Sequence, residues 1–411
     1  MSTSSDAVAT AFREHHGTVL ARLIRLTGDF DVAEDAVQQA FAIALTAWSR
    51  DGAPSNAQAW IMTTARHRAV DQLRYSQRFL DAESAALALE RLEAAGEEPV
   101  PTHLADDQLR LIFTCCHPAL APEVRVALTL HTLCGLTTEQ IARAFLLPLP
   151  TLAQRLVRAK KKIRDAAIPY RVPPPELLSE RLDSVLAVIY LVFNEGYLGA
   201  GGDMAIRADL CDEAIRLGRL VAELLPAESE PRALLALMLL QDARRRARIS
   251  AQGELVLMEH QDRSLWDGDR IREGLALVER ALREGGARPY GLQAAIAALH
   301  AQAPTAPDTD WRQIVALYSL LARLHPSPVI ELNYAAAVSM VDGPEAALRL
   351  IDALHARGAL SGYHLLHATR ADCLRRLGRS AEAATAYREA LACGVSEPER
   401  HFLLKRIGEC D

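Results

Sequence analysis

The chain has 411 residues, 50% of them hydrophobic and 24% charged, with a formal net charge of −6. That balance is ordinary for two or three soluble globular domains. The longest uninterrupted apolar run, Val185–Phe193, is too short to span a bilayer, and the start MSTSSDAVATAF lacks the basic and apolar stretches of a secretion signal. A cytoplasmic protein without membrane contact is therefore expected. Aromatic residues make up only 5%, and the wealth of Ala, Leu and Arg favours helix throughout, so the expected fold class is all-α. The seven cysteines form no even framework, which predicts reduced thiols.

In chain order, a first block covers about 6–80. After an initial helix, Ala33, Ala36, Val37, Ala40, Phe41, Ala44, Leu45 and Trp48 recur at helical spacing over 32–48. Asp31 is the expected cap of that helix, with Glu34 and Asp35 in the first turn, where the helix dipole favours acids. The turn Asp51-Gly52-Ala53-Pro54-Ser55-Asn56 follows. Trp60–Arg74 then reads as a helix carrying Arg66, His67, Arg68 and Arg74 against a single acid, Asp71. Such a face serves as readily as solvated surface as it does for nucleic acid.

Residues 81–107 change character, with eight acids against one base, Arg91, and Gly96 and Pro99-Val100-Pro101 inside. They read as an acidic linker with one short helix about Ala82–Ala95.

The block 108–171 holds the most informative segment of the chain. Thr137 with Gln140 makes a capping box, and Ile141, Ala142 and Phe145 continue at helical spacing. Pro148 and Pro150 stop that helix and start the next. On the second helix Leu152, Leu156, Ala159 and Ile163 share one narrow face. Thr151, Gln154, Arg155, Arg158, Lys161 and Lys162 fall together on another arc. From Arg143 to Arg171 there are eight Lys/Arg and one acid, a balance of +7, so the rest of a −6 chain carries −13. Positive charge placed after a tight turn is how a recognition helix meets phosphates and base edges. Cys115-Cys116-His117, with His131 and Cys134 downstream, lacks the ligand spacing of zinc sites. Buried packing of the thiols is expected, and no metal.

The last block, about 176–411, repeats weakly. Glu273–Leu282, Arg312–Leu321, Glu345–Leu354 and Glu382–Leu391 share one amphipathic pattern, each late in a helical pair, and Leu377-Gly378-Arg379 followed by Tyr387 has a tetratricopeptide-like look. Either a helical-repeat solenoid or an irregular helical bundle fits. No Walker loop, dinucleotide fingerprint or zinc-protease motif occurs, so neither catalysis nor a cofactor is expected. Asn194-Glu195-Gly196-Tyr197 reads as a helix end. Glu259, His260, Asp262 and Asp267 read as an exposed loop, and Arg244, Arg245, Arg246 and Arg248 as a solvated helix face.

Taken together, DVAEDAVQQAFAIALTAW (31–48), AWIMTTARHRAVDQLR (59–74) and Leu136–Ile163 resemble regions two and four of an extracytoplasmic-function sigma factor, the small two-domain class of bacterial sigma-70 relatives. The resemblance covers about 6–170. Residues 176–411 look like the long helical extension of one subgroup, on the strength of VIYLVFNEGY, RADLCDEAIRLGRL, GELVLMEHQDRSLWD and PYGLQAAIAALHA. Leu149-Pro150 departs from the common pattern, in which polar residues open the recognition helix. The resemblance implies core RNA polymerase (β′ clamp and β flap) and promoter DNA as partners. It assigns polymerase docking to Asp31, Glu34, Asp35, Gln38 and Gln39. It assigns the opened −10 strand to Asn56, Trp60, Arg66, Arg68 and Arg74, and the −35 element to Thr151, Gln154, Arg155, Arg158, Lys161 and Lys162. The acidic stretch would thread the polymerase. The extension would regulate or support the factor, through contact with the sigma domains or a regulatory protein. The rival is a one-component operator-binding regulator with a tetratricopeptide sensor. It has no need of the block 31–74.

Overall fold

The computed structural model describes residues 2–76, 82–94, 104–145, 147–166, 168–198, 204–250 and 254–410. Among these, regular structure is helical apart from one isolated bridge between Ile249 and Leu255, so the fold is all-α. The chain divides into two compact units, Met1–Val192 and Phe193–Asp411. The division falls inside a helix and not at Pro173-Pro174-Pro175, the proline run between the second and third sequence blocks.

The first unit begins with α1 (Ser2–Thr27), α2 (Phe30–Asp51), α3 (Ala57–Ser76) and α4 (Ala82–Ala94). The stripe expected on α2 is buried from Ala33 to Trp48, whereas Leu45 is exposed. The cap of α2 is Asp29 and not Asp31. Its carboxylate accepts the Asp31 and Val32 amides at 2.8 and 3.1 Å, because the helix starts at Phe30 and leaves Asp31 already in its first turn.

The acidic stretch 81–107 is more ordered than a linker where it is described; its residues 81 and 95–103 lie outside the described residues. Ala85, Ala88, Leu89 and Leu92 of α4 are buried against α1 and α3. Its last acid, Asp107, is fully buried on α5 (Leu104–Cys115), with Arg22, Arg25 and Arg110 nitrogens at 3.3, 2.9 and 3.2 Å. Tyr170 donates its hydroxyl to the Ala21 carbonyl at 2.7 Å. These contacts seat α5 on α1.

The unit continues with α6 (Pro122–Thr132), α7 (Thr138–Ala144), α8 (Leu149–Asp165) and the first part of α9 (Pro175–Leu198). Arg181 donates to the Phe113 carbonyl at 2.7 Å and Ser184 to the Cys116 carbonyl at 3.0 Å, fixing α9 on the end of α5. Two glycines let the turn after α6 approach α1. A Cβ on Gly17 would meet the Leu133 carbonyl oxygen at 2.9 Å, and one on Gly135 (φ +68°) would meet the Phe12 ring at 2.6 Å.

In the second unit α10 (Met204–Leu224) and α11 (Ser229–Asp242) precede α12 (Gly268–Gly285) and α13 (Pro289–Gln302). α11 is buried on nearly every side, between α10, α12 and α13, as a helix apolar all round must be. Its buried Glu230 accepts the Tyr290 and Gly291 amides at 3.1 and 3.2 Å, capping α13, whose own N-cap residue Arg288 supplies no side-chain bond. Next come α14 (Trp311–Leu324), α15 (Pro328–Val341), α16 (Pro344–Ala356), α17 (His364–Arg376), α18 (Ser380–Ala392) and α19 (Glu397–Gly408), each packed on its predecessor. The four amphipathic segments expected from the sequence are α12, α14, α16 and α18, each the second member of a packed pair. Leu348, Ile351, Leu366, Leu374, Tyr387 and Leu403 belong to one core running through the last pairs.

Gly135→Ala tests the seam between α1 and the turn after α6. At Gly28 (φ +70°), where an added Cβ meets nothing within 4 Å, alanine costs only backbone strain, about 1–2 kcal/mol. At Gly135 the Phe12 ring must also move, for about 1–3 kcal/mol more. Urea unfolding should show Gly135→Ala as the more destabilised by at least about 1 kcal/mol; equal midpoints would mean that the seam is loose.

Candidate polymerase and nucleic-acid interface

The helix-turn-helix is built as its sequence dictates. The Thr137 amide donates to Gln140 Oε1 at 2.8 Å, and the Gln140 amide to Thr137 Oγ1 at 3.2 Å, closing the capping box before α7. Pro148 caps α8 without a side-chain bond, and Pro150 lies in its first turn, where a missing N–H costs nothing. Leu152, Leu156, Ala159 and Ile163 are the buried residues of α8. On the other side Thr151, Gln154, Arg158, Lys161 and Lys162 are exposed and Arg155 is half-buried. Lys161 pairs with Asp165 at 2.6 Å, and Lys162 donates to the Ala119 carbonyl at 2.5 Å, a strut from α8 to the turn before α6.

α8 carries a second positive face that the sequence reading did not single out. Lys160 Nζ lies 2.5 Å from Glu34 Oε2 and 3.0 Å from Asp31 Oδ1, and Arg164 lies 3.6 Å from Asp29. His131 of α6 approaches the same Glu34 oxygen at 3.6 Å. Glu34 is thus 9% exposed, which corrects its expected place on the open side of α2. Its charge is answered from within the unit. Asp31, Asp35, Gln38 and Gln39 are exposed, and Asp35 accepts from Gln72 of α3 at 3.3 Å. Nothing local marks Lys160, since its partners lie more than a hundred residues away in sequence.

The residues expected on the −10 strand gather around the start and outer side of α3. Asn56 Oδ1 accepts the Ala59 amide at 2.9 Å, so it caps α3 and keeps its amide N–H groups free of that bond. Trp60 packs edge-on against Trp48, ring centroids 5.5 Å apart, and is half-buried. Arg68 and Arg74 are exposed and pair with the exposed acids Asp71 and Glu93 at 3.5 and 3.1 Å; Arg66 is half-buried. Exposed pairs of this kind are worth about 0–1 kcal/mol, so they hold the two arginines only loosely. Cys115 and Cys116 are buried, and burial raises both thiols, Cys116 to about 11.

The Glu34 cluster gives a pH signature. Burial pushes the Glu34 carboxyl up, but the facing His131 imidazole and the Lys160 charge outweigh it and hold the group below 4.5. Burial pushes His131 down, and the facing Glu34 carboxylate, with the Leu136 carbonyl on the other ring nitrogen, outweighs that, so its pKa stands above 6.5. The Glu34 contribution is therefore present above pH 4.5 and lost as pH falls through its lowered pKa. The His131 contribution is complete below pH 6.5 and lost as pH rises through its raised pKa. Denaturation at a series of pH values should show wild type ahead of His131→Gln at pH 6, and the gap should close towards pH 9. A gap independent of pH would remove the imidazolium from this contact.

Residues 11–79 match sigma-70 region 2, 110–163 match sigma-70 region 4, and 181–282 match a family of unknown function, DUF6596. An uncharacterized protein of Rhizobium meliloti is 44% identical over 399 residues, covering 94% of this chain and 92% of that protein. The probable ECF RNA polymerase sigma factor SigI of Mycobacterium tuberculosis is 28% identical over 173 residues, 42% of this chain and 59% of its own length. The ECF RNA polymerase sigma factor SigK of Mycolicibacterium vanbaalenii is 27% identical over 169 residues, 38% of this chain and 82% of its own length. The region 2 match covers the block 31–74 that a plain operator-binding regulator does not need. With both sigma regions in order and a helical extension after them, the chain belongs to the extracytoplasmic-function sigma factors of the sigma-70 family, in a form that carries a long C-terminal helical region.

Proposed function

We propose that the chain works by binding alone, bringing core RNA polymerase to one class of promoter. The open side of α2 (Asp31, Asp35, Gln38 and Gln39) docks on a basic polymerase element, the β′ clamp in the family, with the β flap as the second attachment. Asn56 and the arginines of α3 hold the opened −10 strand. Arg155, Arg158 and Gln154 read −35 base edges while Lys161 and Lys162 meet phosphates. The observation that carries this reading is α8 itself, whose apolar stripe is buried while Thr151, Gln154, Arg158, Lys161 and Lys162 stand in solvent.

Docking through Asp31 competes with Lys160, which holds that carboxylate at 3.0 Å. Glu34 is spent inside the unit and drops out of the docking set. Asp35→Lys should weaken co-purification with core polymerase without changing the circular dichroism spectrum, and Lys160→Gln should strengthen it. If Lys160→Gln leaves affinity unchanged, Asp31 takes no part in docking.

Recognition divides between two steps. Arg158→Ala should cost on the order of 1–3 kcal/mol at −35 positions and relax preference there. Lys161→Ala should weaken all sequences alike and lower the salt slope by about one unit. Asn56→Ala should impair strand opening instead. Footprinting and permanganate reactivity separate the steps; both sets of variants failing at one step would overturn the division.

The C-terminal unit modulates the factor in cis or through a bound protein. Because α9 packs on α5 up to Ser184, the fragment to compare with the full chain in run-off transcription is 1–198. Altered output or promoter choice is expected. Indistinguishable output from the two proteins would end the modulating role.

A further inference from the structure

Four separate segments of the second unit meet in one basic, aromatic cluster that the transcription reading leaves unused. Tyr197 comes from the end of α9, Arg244 and Arg248 from the turn after α11, Arg263 and Trp266 from the approach to α12, and His300 from the end of α13. The arginines do not form the solvated helix face expected from the sequence: Arg244, Arg245 and Arg248 are half-buried beyond the end of α11, and only Arg246 is exposed.

The guanidinium of Arg248 stacks 3.8 Å from the Tyr197 ring centroid and donates to the Tyr197 carbonyl at 2.5 Å. Arg244 donates to the Tyr197 hydroxyl at 2.8 Å and stands 6.0 Å from the Trp266 ring. Arg263 lies 4.3 Å over the other part of the same cluster, the Trp266 ring, and donates to the His300 and Ala303 carbonyls at 2.8 and 2.6 Å. Aromatic faces and carbonyls hold these cations in place.

What is missing is negative charge. Arg244, Arg248 and Arg263 make no ion pair among the described residues. The nearby Asp212 and Asp242 go instead to Arg245 and Arg270. Asp308, the acid that acts on Arg263, is exposed and accepts from the Thr305 amide and hydroxyl at 3.1 and 2.6 Å. One further donor is idle: Trp266 is 8% exposed and its indole Nε1 is buried without a hydrogen-bond partner. Three guanidinium groups held together without a counter-charge repel one another, and a buried N–H left unpaired costs free energy.

We propose that Arg244, Arg248, Arg263 and the Trp266 indole N–H form a binding site for a small molecule bearing a phosphate group. A dianionic, tetrahedral acceptor answers several guanidinium donors at once, which a singly charged carboxylate does less well. His300 supplies an internal reporter. Burial first, and then the charges of Arg244 and Arg263, lower its pKa to about 4. An anion seated among those arginines raises it again.

The test uses the full chain and inorganic phosphate, with chloride balancing ionic strength. Isothermal titration should show saturable binding, and the thermal midpoint should rise with phosphate. Arg244→Gln should weaken binding at least tenfold. Trp266→Phe, which keeps the ring and removes the N–H, should weaken it several-fold, and Arg246→Gln should leave it unchanged. In the wild type the His300 imidazole resonance should titrate at higher pH once phosphate is bound. Absence of phosphate binding overturns the site, as does equal binding by wild type, Arg244→Gln and Trp266→Phe. A single-stranded oligonucleotide that binds where phosphate does not overturns it too. Should Arg244→Gln fail to fold, Trp266→Phe and the His300 resonance decide. No polymerase or promoter enters this assay, so its failure leaves the transcription reading untouched.

Discussion

A carboxylate taken out of water has to be answered by positive charge or by hydrogen bonds, and two such carboxylates organise the first unit. Asp107 gathers Arg22 and Arg25 of α1 with Arg110 of its own helix. Glu34 gathers His131 of α6 and Lys160 of α8. Each links the region 2 bundle to helices that follow residues 95–103. Removing the positive partners of such a group leaves a buried charge unanswered, at a cost of about 3–5 kcal/mol, so each carboxylate fixes where its partners must sit. One Glu34 oxygen, Oε1, is itself buried without a partner, so all of its compensation comes through Oε2.

That arrangement gives α8 two positive faces with different duties. Lys160 and Arg164 spend their charge on acids at the start of α2, while Arg158, Lys161 and Lys162 stand exposed on the other side, Lys161 beside Asp165 of its own helix and Lys162 against the Ala119 carbonyl. The acids of α2 divide in the same way: Glu34 is committed inwards, whereas Asp35 stays outside. A run of like charges in sequence is thereby split by the helical period into a structural set and an available set. The +7 balance of 143–171 overstates what is offered to DNA, because part of it neutralises α2.

The features legible in the sequence were those set by local periodicity and capping. The stripe of α2, the Thr137–Gln140 box, the buried row Leu152, Leu156, Ala159 and Ile163, and the four amphipathic helices of the second unit all depend on spacings of a few residues. What escaped was set by contacts between distant segments. The start of α2 turned on Asp29 against Asp31, two residues of one type two positions apart. Glu34 looked like any acid in a first turn until Lys160 and His131 arrived beside it. The stretch 81–107 is polar enough to read as linker, yet four apolar residues on α4 suffice to pack it on α1 and α3. Arg244 and Arg248 read as surface because no sequence window contains Tyr197 and Trp266 together with them.

The second unit shows where regularity stops and why that matters. From α13 to α19 successive helices pack on their predecessors through short connections, and each pair hides the stripe of the next. The connection from α11 to α12 breaks that rule. It runs from 243 to 267 through three short 3-10 turns, at Arg245–Ala247, Met258–His260 and Arg263–Leu265. A connection that long is uncommon between neighbouring helices of a packed pair. Its side chains are not idle filler, since Asp262 caps the 3-10 turn that follows it, Asp267 caps α12 and Trp266 is buried among arginines. Packing alone would have been served by apolar residues at Arg244 and Arg263. Placing guanidinium groups there, with the acids given to their neighbours, sets aside local stability in this long irregular connection. Departures of that kind concentrate where a protein binds something.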